Sequence, residues 1–436
     1  MKSFLLLLLC ACSLLAGHAQ PSAADAAADV DFDTWFLPRS LRIDFALSGN
    51  ARGQQAAIRT LRDEPVWAGP RRHLIDPFGY GGYYVQVYDK TGTRLLYSRG
   101  FNTLFEEWLT TAQARSETQS WDNSISVPYP RDTVVIQLSA RSRADMQFHP
   151  LLRQTVAPSS IFIDRTPLQS HPVTVLQENG PADRCVDLVF LAEGYTAAQQ
   201  EQFVSDARRF MEALFSTPPF DQCRSLWNVR AVGTISREEG TSSCGRGIYR
   251  HTALGAGYYT FGVDRYLTTP RYNLIRDAVW DVPCDAIFIL INADTYGGGG
   301  MYNHYACGTA HNDRTPVVFT HEFGHSFAGL ADEYFTSAVA YEDFYNLAFE
   351  PWEPNITTLV HFASKWADLL PPSTPVPTPL VPDAPQAIGV YEGGGYLAHG
   401  IYRPMDHCMM RDYAPFCPAC SRAILRMVHY YADRPL

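Results

Sequence analysis

The chain has 436 residues and a formal net charge of −10, with a pI near 5.7; that length suits about two or three domains, each able to bury a core. Hydrophobic residues make up 46% and charged residues 18%, the balance of a globular rather than a disordered protein. No block of basic residues occurs, which argues against nucleic acid or an anionic membrane as partner.

At the N-terminus, Lys2 precedes an apolar run from Phe4 to Leu15 and then Ala16-Gly17-His18-Ala19. The run is short for a bilayer span and ends in small residues, so residues 1–19 read as a cleaved secretory signal, with Gln20 the first mature residue. Leu9-Cys10-Ala11-Cys12 offers a weaker lipid-anchor alternative. The expected location is the periplasm, the cell surface or the medium. No later segment is long and apolar enough to be transmembrane. Eight cysteines follow the signal, all beyond residue 180. An even count in an exported chain favours disulfides.

Residues 31–165 read as an all-β sandwich domain. Leu41-Arg42-Ile43-Asp44-Phe45-Ala46-Leu47 alternates as a half-buried strand should. Tyr83 to Tyr88, Leu95 to Tyr97, Thr133 to Leu138 and Ser160 to Ile163 are short β-type runs between turn residues. Phe105-Glu106-Glu107-Trp108 interrupts them without a clear class. This half gathers no ligand-type cluster and reads as a packing or recognition module. Residues 165–181, rich in Pro, Asn and Gly, read as a linker.

The second domain, 182–436, changes to an alternating pattern. Val186 to Leu191 is an apolar strand, and Thr196-Ala197-Ala198-Gln199 is a capping box opening a helix. Phe203, Ala207, Phe210, Met211 and Leu214 form its core stripe, and Pro218-Pro219 ends it. Trp227 to Val232 is a second strand. Pro270 to Trp280 is a second helix, with Thr269 at its N-cap. Ala286 to Ile291 is a third strand, apolar enough to be buried on both faces. The order predicts an α/β layer with a mostly parallel sheet. Gly297-Gly298-Gly299-Gly300 then reads as a mobile loop or as an edge strand against which a peptide lies.

Pro316 opens the helix that carries the central motif, His321-Glu322-Phe323-Gly324-His325. Positions i and i+4 share a helical face, so both imidazoles can aim at one point. Zinc accepts such nitrogens and, in catalytic sites, keeps a position open for water. Glu322 can reach that water as general base rather than as ligand. Gly329 stands where the helix can end and the chain reverse. Asp332 and Glu333 follow as candidates for a third ligand, with Glu342 a more distant one. Residues 371–385 are proline-rich and separate the motif from a C-terminal segment holding Cys408-Met409-Met410-Arg411, Cys417-Pro418-Ala419-Cys420 and a helix from Ser421 to Tyr431.

Two histidines on a helix, a glycine turn, a nearby third ligand and a downstream methionine pair resemble the metzincin plan. The spacing departs from the common one: Ala328 occupies the usual glycine place, Gly329 comes one later, and Asp332 is one beyond the usual ligand position. That offset resembles the IgA-specific metallopeptidase family of secreted bacterial enzymes. The likeness continues in Pro354-Asn355-Ile356-Thr357, Lys365-Trp366, Tyr391-Glu392-Gly393, Tyr402-Arg403-Pro404 and Phe416-Cys417-Pro418-Ala419-Cys420. In the first half it is carried by Gly100-Phe101-Asn102-Thr103-Leu104-Phe105 with Trp108.

The resemblance implies a C-terminal α/β metzincin-like zinc peptidase domain acting on polypeptides with one catalytic zinc ion. It implies His321, His325 and Asp332 as ligands, Glu333 as the competing ligand, and Glu322 as the base. Met410, or Met409, would form the floor beneath the metal, and Tyr413 or Arg411 would stabilise the oxyanion. For Cys417-x-x-Cys420, disulfides are favoured over a zinc site that would need two more ligands; one of the pair could join Cys408. A catalytically silent surface protein using the β domain for recognition is the alternative function. Glu322 speaks against it, because a pure binding protein needs no base beside two histidines. An amidase or peptidoglycan hydrolase fits the glycine-rich approach and long helix less well than an endopeptidase.

Overall fold

A computed structural model describes residues 30–335, 344–381 and 386–436. The expected signal segment 1–19 and Glu342 lie outside the described residues. The first unit begins with a helical turn, α1 (Phe32–Trp35), and eight strands follow with one short helix among them. They are β1 (Phe36–Asn50), β2 (Gly53–Glu64), β3 (Tyr83–Tyr88), β4 (Leu95–Phe101), α2 (Leu104–Trp108), β5 (Gln119–Pro130), β6 (Val134–Arg141), β7 (Phe148–Val156) and β8 (Ile163–Asp164). Two four-stranded sheets result, ordered β5-β1-β2-β8 and β4-β3-β6-β7. The alternation read in β1 sends Ile43, Phe45 and Leu47 inward, into one core with Val85, Val87, Ile136 and Leu138 of the other sheet.

Strands β2, β5 and β7 and the class of the interruption at Phe105–Trp108 are beyond the sequence reading. Strand β2 is polar for most of its length, and it is held by antiparallel pairing with β1 rather than by an apolar face of its own. The interruption at Phe105–Trp108 is helix α2. Its N-cap, Thr103, accepts from the Glu106 amide at 3.2 Å, and Phe105 and Trp108 are buried.

The second unit is built on a six-stranded sheet ordered β15-β16-β14-β10-β11-β9. In chain order its elements are β9 (Val173–Gln177), β10 (Val186–Glu193), α3 (Gln200–Phe215), β11 (Trp227–Val232), the short pair β12 (Ser242–Ser243) and β13 (Gly257–Tyr258), α4 (Tyr272–Ala278), β14 (Ala286–Ile291), β15 (Gly298–Met301), β16 (Tyr305–Thr309) and α5 (Thr315–Ala328). A hairpin, β17 (Tyr391–Gly394) and β18 (Leu397–Arg403), precedes α6 (Met409–Asp412) and α7 (Pro418–Tyr431). The pairings β11–β10, β10–β14 and β14–β16 are parallel. The edge strands β9 and β15 run antiparallel. Strand β9 falls in the segment expected to be a linker and instead completes this sheet.

Period-2 burial explains the layers. Leu188 and Phe190 of β10 enter a core with α3, α5 and α7, while Val189 and Leu191 enter another with Ile275 of α4. The capping box at Thr196 and Gln199 is formed. Helix α4 starts at Tyr272 rather than Pro270, and Thr269 does not cap it. The Thr269 hydroxyl donates to the Leu254 carbonyl and accepts from the Arg271 amide, so it secures the incoming loop instead.

The two units are locked by buried charge. Arg99 of β4 is 2% exposed; it donates to the Tyr431 hydroxyl at 2.9 Å and lies over the Tyr430 ring. Arg42 of β1 pairs with Asp277 of α4 at 2.7 Å, and Asp433 accepts from the amides of Arg71 and Arg72. The β unit therefore stands beside the six-stranded sheet in a fixed position, which matters for the cleft below.

Candidate metal centre and cleft

Helix α5 has Pro316 in its first turn and ends at Gly329, whose φ of 65° is left-handed. The Gly329 and Leu330 amides return to the carbonyls of His325 (3.0 Å) and Gly324 (3.3 Å), the closure a left-handed residue permits. A Cβ on Gly329 would lie 2.9 Å from the Trp352 ring, so space as well as backbone calls for glycine. The reversal returns Asp332 to the histidine face.

His321 Nε2 and His325 Nε2 are 3.1 Å apart. Asp332 Oδ1 lies 3.1 Å from the first and 3.3 Å from the second. His321 Nδ1 donates to the Met409 carbonyl at 2.9 Å and His325 Nδ1 to the Leu330 carbonyl at 2.6 Å. Carbonyls only accept, so in the neutral imidazoles both Nε2 atoms present lone pairs. Asp332 Oδ1 is buried without a hydrogen-bond donor, while its Oδ2 accepts from the Tyr396 hydroxyl at 2.6 Å.

Three acceptors thus converge on one point. Ligands about 2.0 Å from a tetrahedral centre stand about 3.3 Å from one another, close to the observed spacings. The donor set fits a divalent metal ion. The electrostatics agree: burial disfavours a charged His325, yet the Asp332 carboxylate overrides it and lifts its pKa to about 9. Burial likewise opposes charge on Asp332, but the two histidines hold its carboxyl well below the usual range. The pocket asks for positive charge.

Glu322 lines the same cleft. Burial holds its carboxyl above the usual carboxylate range, although His321, His325 and Arg265 pull the other way. The glycine run finds its meaning here. Residues Gly298 to Met301 are the edge strand β15 rather than a loop, and a Cβ on Gly300 would come within 2.2 Å of the Glu322 carbonyl oxygen. Without side chains the strand can lie directly against α5.

The remaining expected residues separate. Met410 Sδ sits 3.0 Å from where a Cβ on Gly324 would be, under the helix between the two histidines. Met409 contributes its carbonyl rather than its side chain to His321. Tyr413 lines the cleft with its ring 5.6 Å from that of His321 and its hydroxyl 2.8 Å from that of Tyr296. Arg411 instead pairs with Asp406, away from the residues lining the cleft. Glu333 points away from the histidines: Asn355 Nδ2 donates to its Oε1 at 2.9 Å, and Cys420 Sγ is 3.2 Å away. Adjacent residues of a non-helical segment face opposite ways, so Asp332 and Glu333 serve different places.

The expected disulfides are absent among the described residues: all eight cysteines there are free. Cys408 Sγ and Cys420 Sγ stand 3.8 Å apart, against about 2.05 Å for a bond.

Sequence reasoning missed several cleft residues. Tyr396, at the tip of the β17–β18 hairpin, fixes the second oxygen of Asp332; the glycines before it signal a turn but not what that turn approaches. Arg265, bonded to the hydroxyls of Tyr296 and Tyr334, carries no local signal. Asn102 and Glu107 reach the cleft from the β unit, whose sequence shows no ligand-type cluster and reads as a packing or recognition module.

The family model described as IgA Peptidase M64 matches residues 174–386 and 380–428, and that described as Peptidase M64 N-terminus matches residues 31–151. The chain belongs to the IgA peptidase M64 family. No curated protein matches it. As an M64 member the chain is a peptidase, acting on polypeptides, and His321, His325 and Asp332 form its candidate metal-binding group. Among the described residues no helix is long and apolar enough to cross a membrane.

Proposed function

We propose that this M64 chain is an exported zinc-dependent endopeptidase acting on extracellular or host proteins. It has a β-sandwich domain over residues 31–165 and a metzincin-like catalytic domain over 182–436, to whose sheet β9 adds an edge strand from the preceding segment. The observation that carries the reading is the convergence of His321 Nε2, His325 Nε2 and Asp332 Oδ1 without a donor between them. These three residues would hold one zinc ion, which when bound would supply Lewis acidity to polarise a carbonyl and acidify water.

The chain's own groups do the rest. Glu322 takes a proton from the attacking water as its oxygen bonds to the scissile carbonyl carbon. It then delivers that proton to the amine nitrogen as the carbon–nitrogen bond breaks. The raised affinity of its buried carboxyl for a proton suits a group that must both accept and return one. Tyr413 Oη donates to the developing oxyanion. An extended peptide lies along the cleft beside β15, with Tyr396 keeping Asp332 aimed at the histidines.

With residues 1–19 read as an export signal, the enzyme would act in the periplasm, on the surface or in the medium. Digestion of a peptide library by the mature protein tests the reading. Internal cleavage that stops with a chelator and returns with zinc is expected, and a library left intact in the presence of zinc would overturn it.

A further inference from the structure

The side of the chain opposite Asp332 gathers a second set of metal-type ligands. Glu333, Cys408, Cys417 and Cys420 bring one ligand atom each to within 4.8 Å of all the others. None of the four is more than 2% exposed. Cys417-x-x-Cys420 opens helix α7, with the Cys420 amide directed at Cys417 Sγ and the Cys417 amide at Cys408 Sγ, both at 3.4 Å. Amides aimed at sulfur favour thiolates. The two ligands that Cys417-x-x-Cys420 lacked in the sequence are thus supplied from elsewhere in the fold.

The distances favour a metal over a disulfide. Zinc–sulfur bonds of about 2.3 Å in a tetrahedron put sulfurs about 3.8 Å apart, and Cys408 Sγ and Cys420 Sγ are 3.8 Å apart. A disulfide between any two of the three cysteines would leave a buried thiol beside a buried carboxylate. Glu333 Oε2 is already buried with no hydrogen-bond partner, and an unpaired buried carboxylate is costly.

We propose that Glu333, Cys408, Cys417 and Cys420 bind a second, structural zinc ion. All four positions are protein ligands, as in closed structural sites. Its placement gives it a purpose. Glu333 is the neighbour of Asp332, and Cys408 is the neighbour of Met409, whose carbonyl fixes His321. The Glu333 amide also donates to the Met410 carbonyl at 2.8 Å. One ion would pin the third-ligand segment and the methionine segment to α7.

The test is zinc stoichiometry with the sulfur shell read directly. Elemental analysis and native mass spectrometry of the wild-type mature protein should give two zinc ions per chain. X-ray absorption should show sulfur at about 2.3 Å beside nitrogen and oxygen at about 2.0–2.1 Å. In the His321→Ala/His325→Ala double variant one zinc should remain, in a shell dominated by sulfur. One ion in the wild-type protein with a shell free of sulfur would overturn the proposal, and so would a mapped disulfide joining any two of Cys408, Cys417 and Cys420. Neither result needs a variant to fold. Either would leave the peptidase reading intact, because that rests on the histidine centre alone.

Discussion

His321 Nδ1 donates to the Met409 carbonyl at 2.9 Å, so a residue far along the chain fixes the tautomer of the first metal-type histidine. His325 is held in the same way by Leu330, just past the turn. Both rings are therefore aimed by the protein's own carbonyls, and the Asp332 carboxylate is aimed by Tyr396. Such outer partners typically set metal affinity by factors of 10 to 100.

Tyr396→Phe removes the hydrogen bond to Asp332 Oδ2 while keeping the ring. Zinc affinity at the histidine centre should fall about 10- to 100-fold, measured by competition with a chelator of known strength. An unchanged affinity would show that Asp332 is held by other contacts.

Tyr413→Phe should lower kcat by about 10²–10³, the usual loss for one oxyanion donor, with metal content and KM near those of the parent. Tyr413 is placed for this by its own left-handed backbone (φ 65°) and by the Tyr296 hydroxyl. Equal turnover by the variant would remove Tyr413 from the mechanism.

How much of this was legible in the sequence depends on whether a feature is local. Helix α5, its two histidines and the turn at Gly329 follow from spacing and a single glycine. The parallel strands β10, β11 and β14 follow from short strand-type runs between helix and turn signals, and only β14 is apolar throughout. Strand β2 was hidden because its stability lies in its partner β1. The different duties of Asp332 and Glu333 were hidden because both are carboxylates and only the path of the turn separates them. Cys408, Cys417 and Glu333 meet only in three dimensions, so a count of cysteines pointed to disulfides instead.

Gly329→Ala places a side chain where the backbone is left-handed and the Trp352 ring is 2.9 Å away. The backbone alone should cost about 1 kcal/mol, and the contact should add to it. Thermal or denaturant unfolding should show the loss together with weaker zinc binding, since the same turn carries Asp332. A variant as stable as the parent would mean that the turn relaxes freely.

His304 provides a pH signature remote from the cleft chemistry. Its ring stacks on Tyr272 at 3.5 Å, and neither ring nitrogen has a hydrogen-bond partner. Burial, aided by nearby Arg276, depresses its pKa to about 3. The unfolded chain then binds the proton from about pH 6.5 downward while the folded chain does not, so stability must fall as pH drops from about 6.5 toward about 3. The slope from this one group is at most about 1.4 kcal/mol per pH unit. His304→Phe should lose that component, seen as a shallower acid limb in urea unfolding across that window. Parallel curves for variant and parent would count against it.

The central claim is tested most directly by Glu322→Gln, with zinc content and peptide hydrolysis measured on the same preparation. The variant should keep the parent's zinc and lose hydrolysis by at least about 10²–10⁴, because the ligands are intact and only the proton carrier is gone. Hydrolysis at the parent's rate by a zinc-loaded Glu322→Gln protein would contradict the mechanism proposed for this site.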